Sequence, residues 1–218
     1  MVAQKVHVAI VLDRSGSMED CRTDAIGAVN SYLRQVKTDK DMEASVSLII
    51  FDSQSIDVIR DKVPAGDCAE LGADEYQPRA QTPLLDAVGH GVGVLERRKQ
   101  VGERSILAVM TDGLENASTE FTRETIKALL DRKQKEEGWL VLYLGAGHDA
   151  WAQAGAMGLR AGNVASFAKQ QVGASMAAIG SRGKRYAMAP VAAQDAEEGG
   201  FTAEERAQMD DRGAGKKR

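Results

Sequence analysis

Runs of β-branched and aliphatic residues alternate with segments of helical period along most of this chain, and that alternation leaves few folds open to it. Val6-His7-Val8-Ala9-Ile10-Val11-Leu12 is almost continuously apolar, as a strand must be when both faces of its sheet are covered. The following segment, Met18 to Lys37, carries Ala25, Ile26, Val29, Leu33 and Val36 at helical spacing. Ala44 to Phe51, Ser105 to Met110 and Trp139 to Leu144 repeat the buried-strand pattern. Ile126, Leu129 and Leu130 mark a helix that stops before Gly138. Strands and helices in this order build an α/β domain around a mainly parallel sheet. Ser55 to Arg60 alternates polar and apolar instead, which predicts an exposed edge strand in a hairpin with the strand before it.

A loop of turn formers is expected from about Val63 to Gln81. After it, Thr82 can cap a helix with Pro83 in first position, where a missing N–H costs nothing. Leu84, Leu85, Val88, Val92 and Leu95 supply the buried face of that helix. Gly89, Gly91 and Gly93 each cost it roughly 1 kcal/mol of propensity, so they imply either close backbone packing or an early end. A short helix near Asp149 to Met157, a short strand near Asn163 to Phe167 and a last helix to about Ile179 complete a domain over residues 1–180. Beyond Ser181 the composition shifts to Lys, Arg, Glu, Asp, Gly and Ala, which predicts a charged, flexible tail over 181–218. Within it, Thr202 and Glu205 have capping-box spacing behind Phe201, so a short helix is expected near 202–210.

Composition narrows the function. A net charge of −4 argues against a general nucleic-acid or acidic-membrane binder, so neither a specific nucleic acid nor a membrane is expected as a partner. No uncharged apolar run approaches the roughly 18 residues of a membrane span. Val6 to Leu12 is too short for a signal peptide and lacks a small-residue cleavage site after it, so a cytoplasmic location is expected. There Cys21 and Cys68, which match no CxxC pattern, would stay thiols. His7, His90 and His148 do not stand at zinc-ligand spacing.

The chemistry concentrates after the first strand, in Asp13-Arg14-Ser15-Gly16-Ser17. Ligands bind where strands of an open parallel sheet end, because loops and helix N-termini converge there. Asp13, Ser15 and Ser17 alternate, and Gly16 lets the turn tighten so that their oxygens can share one space. Thr82 opens a helix after a loop, and Asp112 directly follows another buried strand, so both would emerge at the same sheet edge. Five oxygen ligands from three loops, without sulfur or imidazole, describe a site for a hard cation such as Mg²⁺ or Mn²⁺.

Asp13-Arg14-Ser15-Gly16-Ser17-Met18, Thr82-Pro83-Leu84-Leu85-Asp86-Ala87 and Met110-Thr111-Asp112-Gly113 resemble the three loops of a von Willebrand factor type A (VWA) domain. In that family they form a metal-ion-dependent adhesion site. The resemblance covers about residues 5–180, and its wording is similar to stand-alone bacterial and phage members. It implies a Rossmann-like, doubly wound sheet with one antiparallel edge strand, helices on both faces and a metal at the C-terminal strand edge. It further implies that Ser15, Ser17 and Thr82 bind the metal directly, with Asp13 and Asp112 as direct or water-mediated ligands. Two carboxylates only neutralise a divalent ion, and Mg²⁺ takes six oxygens, so a position stays open for an incoming anion. The expected function is therefore a module that engages a Glu or Asp of a protein partner. Alternatives are an adaptor subunit of a larger assembly, such as an ATPase complex, with a structural metal, and Mg²⁺-dependent phosphoryl transfer.

Catalysis is not expected. Phosphatases with a nucleophilic Asp place a second Asp two residues on, and that position here is Ser15. There is neither a G-x-S-x-G elbow nor a P-loop. Gly145-Ala146-Gly147-His148-Asp149-Ala150 partly matches a dinucleotide fingerprint, but the acidic residue expected about 20 positions on is missing. The same stretch is similar to one in bacterial VWA relatives. Arg14, Glu115 and the loop from Val63 to Gln81 are candidates for the rim of the site.

Overall fold

The computed structural model describes residues 3–146, 149–167, 172–190 and 200–209. Its strands are β1 (Gln4–Asp13), β2 (Met42–Asp52), β3 (Ser55–Pro64), β4 (Arg104–Thr111), β5 (Leu140–Ala146) and β6 (Val164–Phe167). Its helices are α1 (Arg22–Thr38), α2 (Leu84–Arg98), α3 (Arg123–Lys135), α4 (Ala150–Ala156), α5 (Val172–Met188) and α6 (Ala203–Gln208). The strands form one sheet in the order β3-β2-β1-β4-β5-β6, parallel throughout except for antiparallel β3 at one edge. This is the mainly parallel α/β domain that the residue pattern predicts, in the doubly wound form that the resemblance implies.

Alternation along β1 divides the core into two layers. Val8, Ile10 and Leu12 join α1 and α5 on one face, while Ala9 and Val11 join α2, α3 and α4 on the other. Gly89 and Gly91 of α2 answer to the second layer, where the helix, which runs on to Arg98, lies close against its neighbours, whereas a Cβ at Gly93 would meet only the Arg97 side chain. A Cβ at Gly91 would stand 2.7 Å from Val11 Cγ2 and 2.9 Å from Leu107 Cδ1, and one at Gly89 would enter the Phe121 ring.

Several boundaries differ from the sequence expectation. Thr82 does not cap α2, whose N-cap is Pro83. Side chains of the β4–α3 loop serve that helix end instead: Glu115 accepts from the Leu85 N–H at 2.9 Å and Ser118 from that of Asp86 at 3.2 Å. β3 continues past Arg60 to Pro64 through a bulge, with Lys62 at φ 52° donating its N–H to Ser47 Oγ. The last helix of the domain does not stop near Ile179 but continues to Met188, so a boundary at 180 falls inside α5. Gly183, Tyr186 and Ala187 extend its apolar face, and the polar residues between them hide that period in the sequence.

Residues 200–209 pack on the domain. Thr202 and Glu205 form a reciprocal capping box, Phe201 and Met209 are buried, and Arg206 donates to the Val164 and Gly162 carbonyls beside β6. The rest of the expected tail, including Lys216-Lys217-Arg218, lies outside the described residues, as do Gly147 and His148 of the fingerprint-like segment. Cys21 and Cys68 are buried free thiols. No described helix is long and apolar enough to cross a membrane.

Two outcomes follow from this packing. Gly91→Ala gains about 1 kcal/mol of helix propensity but drives a methyl into two central strands; a net loss of about 1–3 kcal/mol is expected in urea unfolding. His7 is buried with its Nε2 2.8 Å from Ser47 Oγ, and burial above all lowers its pKa to about 4. The unfolded chain, with an ordinary imidazole, thus binds a proton between pH 6.5 and about 4 that the folded chain refuses. His7 should then cost roughly 2 kcal/mol of stability on going from pH 7 to pH 5, and His7→Leu should remove that part of the drop in urea midpoint.

Candidate metal centre

β1 and β4 are parallel neighbours, and the chain leaves β1 for one side of the sheet and β4 for the other. Loops that depart in opposite directions leave a crevice between the two strand ends. Asp13 closes β1 there and is fully buried. Its Oδ1 accepts the Ser15 N–H at 2.6 Å, and its Oδ2 accepts the Thr111 hydroxyl at 2.5 Å from the adjacent strand.

The other oxygens gather round it. Ser15 Oγ and Ser17 Oγ lie 3.2 Å apart, and Ser17 Oγ donates to Asp112 Oδ1 at 2.5 Å. Thr82 is held by a two-way backbone contact with Asn116, whose Oδ1 accepts the Thr82 N–H and whose N–H meets the Thr82 carbonyl. The position a Cβ of Gly113 would take is 2.7 Å from Thr82 Oγ1 and 3.5 Å from Asp13 Oδ2. A side chain there would fill the space that Thr82, Asp13 and the Asp112 loop enclose. All five residues named from the sequence, Asp13, Ser15, Ser17, Thr82 and Asp112, therefore meet at one sheet edge. Asp13, Ser15 and Thr82 are buried, Asp112 is half-buried and Ser17 is exposed, so the cluster has a closed floor and an open side.

Electrostatics favour a positive guest. Burial chiefly raises the Asp13 pKa to about 6, the Asp112 carboxylate adds to the rise, and the hydrogen bonds from Thr111 and Ser15 oppose it. Arg14 next door gives no relief, because it points away. Its Nε reaches Asp52 Oδ2 at 2.7 Å and its Nη2 reaches Asp57 at 2.9 Å and Ser55 at 2.8 Å. Two carboxylates with three hydroxyls form a hard-oxygen donor set that suits Mg²⁺ or Mn²⁺. No cluster of three or more His, Cys, Asp or Glu ligands exists among the described residues, so a softer, imidazole- or thiolate-rich site has no counterpart there.

No protein-family model matches the chain, and no curated protein matches it either. Solved structures do. A von Willebrand factor type A protein from Catenulispora acidiphila superposes with a TM-score of 0.59 at 13% identity, over 84% of this chain and 43% of that one. Manganese-loaded Plasmodium vivax TRAP protein gives 0.53 at 14% identity, over 78% and 71%. The SpRpn10 VWA domain gives 0.53 at 12% identity, over 73% and 85%. The chain has the VWA fold. It spans less than half of several solved chains that it matches, 43% of the Catenulispora chain and 46% of the mussel byssus proximal thread matrix protein 1. At these identities the likeness concerns the fold.

Within the VWA fold the residues taken as rim candidates have other work. Arg14 is 6% exposed, and with Arg79 it holds the buried Asp52 carboxylate. Burial alone would raise the pKa of Asp52; the Gln54 N–H and the two guanidiniums outweigh it and hold the group below its ordinary value. Glu115 spends its carboxylate on the N–H groups of Leu85, Ala117 and Ser118 and on the Ser118 hydroxyl, which fixes the loop after Asp112. The loop before Thr82 braces the loop after β1 from beneath. Tyr76, fully buried, donates its hydroxyl to the Asp13 carbonyl, and the Arg79 and Gly16 N–H groups pair with the Arg14 and Ala80 carbonyls.

Thr111, Tyr76 and Gln153 are the supporting residues that sequence reasoning passes over. Gln153 of α4 accepts the Glu115 N–H and donates to the Gly113 carbonyl and the Tyr143 hydroxyl. Thr111 could be suspected from its place at a strand end beside Asp112; nothing local marks Tyr76 or Gln153. Arg14→Leu tests the buried ion-pair cluster. It should cost about 1–3 kcal/mol in chemical denaturation, where a surface arginine would change stability by about 0.5 kcal/mol or less.

Proposed function

We propose that this chain is a non-catalytic binding module that holds a divalent cation, Mg²⁺ or Mn²⁺, at Asp13, Ser15, Ser17, Thr82 and Asp112 and uses it to engage a Glu or Asp of a partner protein. The observation that carries the reading is the meeting of two carboxylates and three hydroxyls from three loops at the strand-order reversal, with Asp13 buried and one side open. Burying carboxylates without a counter-charge is costly, and a divalent ion offsets that cost. When bound, the ion supplies a positive, oxygen-seeking centre with coordination capacity left for a carboxylate. Support also comes from the fold neighbours, among them a TRAP protein solved with manganese.

The chain's own residues divide the work. Thr111 and the Ser15 N–H orient Asp13, Tyr76 fixes the backbone of its loop, and Glu115 and Gln153 hold the loop that carries Asp112. The residue two positions after Asp13 is Ser15, which supplies no general acid, and this favours binding over phosphoryl transfer.

Titration with Mn²⁺ followed by EPR should show one saturable site, lost in Asp13→Asn and in Asp112→Ala, while circular dichroism confirms that both variants fold. Absence of saturable binding in wild type, with and without added acetate as a surrogate carboxylate, would sink the reading.

A further inference from the structure

A hollow that the metal itself does not need adjoins the centre at Asp112. It measures about 100 Å³ and is lined by Asp112 and Gly113 and, from the α4 side, by Asp149 and Gln153. Leu114, Asp149 and Gln153 also line a wider groove of about 270 Å³, so the two share a wall. The wider groove adds the buried apolar side chains of Leu85 and Met157, and beyond the reach of the smaller hollow it carries Arg123 and Glu115, the latter with its carboxylate held by the Leu85, Ala117 and Ser118 N–H groups and the Ser118 hydroxyl.

Two features ask for an occupant. Leu114, two positions after Asp112, is 54% exposed, a large apolar side chain left in water beside a polar centre. Arg123, exposed in the first turn of α3, makes no ion pair within 4 Å of any described residue and acts only through space on its neighbour Glu124. The groove's volume lies just below that of ordinary small-molecule sites, which suits a peptide side chain better than a cofactor.

We propose that the groove receives the stretch of the partner adjoining its metal-bound carboxylate, as an extended acid–apolar–acid segment. The first acid meets the metal, the apolar side chain packs on Leu114, Leu85 and Met157, and the second acid pairs with Arg123. Asp149, which lines both hollows, repels an acid at the middle position and offers an acceptor to an N–H of the segment. This inference rests on the metal-centre reading.

The test uses the full chain saturated with Mn²⁺ and a fluorescein-labelled peptide, Gly-Glu-Gly-Leu-Gly-Glu-Gly, followed by anisotropy. The peptide should bind, and replacing its leucine by serine or its second glutamate by glutamine should weaken binding about tenfold. Leu114→Ser and Arg123→Gln should each weaken the parent peptide to a similar degree while the EPR-measured Mn²⁺ affinity stays unchanged. Equal binding of the serine peptide, unaltered affinity in both variants, or no binding by the Mn²⁺-loaded chain overturns the groove assignment and leaves the metal centre standing. Failure to bind Mn²⁺ at all overturns both, and the EPR signal tells the two failures apart.

Discussion

A carboxylate buried at the end of a central strand has to be surrounded by donors, and the neighbourhood of Asp13 is organised by that requirement. The Ser15 N–H takes one of its oxygens and the Thr111 hydroxyl the other, so the loop after β1 must turn back sharply and β4 must end beside it. Tyr76 takes the Asp13 backbone carbonyl, which obliges the long loop before α2 to pass beneath the strand end. Arg14 cannot join this group without leaving the buried Asp52 carboxylate short of a counter-charge, so it turns away towards β3.

The remaining loops interlock by exchanging helix ends and side chains. Glu115 and Ser118 receive the first N–H groups of α2, and Asp86, inside the first turn of α2, receives those of Thr119, Glu120 and Phe121. The exchange satisfies backbone donors that a helix start and a loop would otherwise leave open. It also ties the position of Thr82, just before α2, to that of Asp112, just before Glu115. Gly89 and Gly91 let α2 lie low enough for this contact, since a methyl at either would meet Phe121 or the strands.

The burial gradient across the cluster gives the site its direction. Its floor is sealed by the sheet and by the loop carrying Tyr76, its exposed side is marked by Ser17, and beside Asp112 a hollow reaches Leu114 and the start of α4. At the far edge of the sheet, Arg206 stands over the Trp151 and Phe201 rings and bonds the carbonyls at and before β6. Residues 200–209 thus cover an edge that a short strand would otherwise leave unpaired.

Much of this was legible in the amino-acid sequence because it is written in local pattern. Continuous apolar runs gave the buried strands, 3.6-residue spacing gave the helices, and polar alternation gave the antiparallel edge. Asp13, Ser15, Ser17, Thr82 and Asp112 could be named because each stands at the end of a strand or the start of a helix, where parallel topology brings such positions together. Only the tertiary structure decided the rest. The turn of Arg14 towards β3 depends on Asp52 and Asp57, about forty residues away, and the roles of Tyr76 and Gln153 depend on contacts with the Asp13 and Gly113 carbonyls. Whether Gly91 broke the helix or let it approach the sheet was settled by Val11 and Leu107. A residue's period reports which face it occupies, but its partner across the fold is set by packing between segments that no local pattern connects.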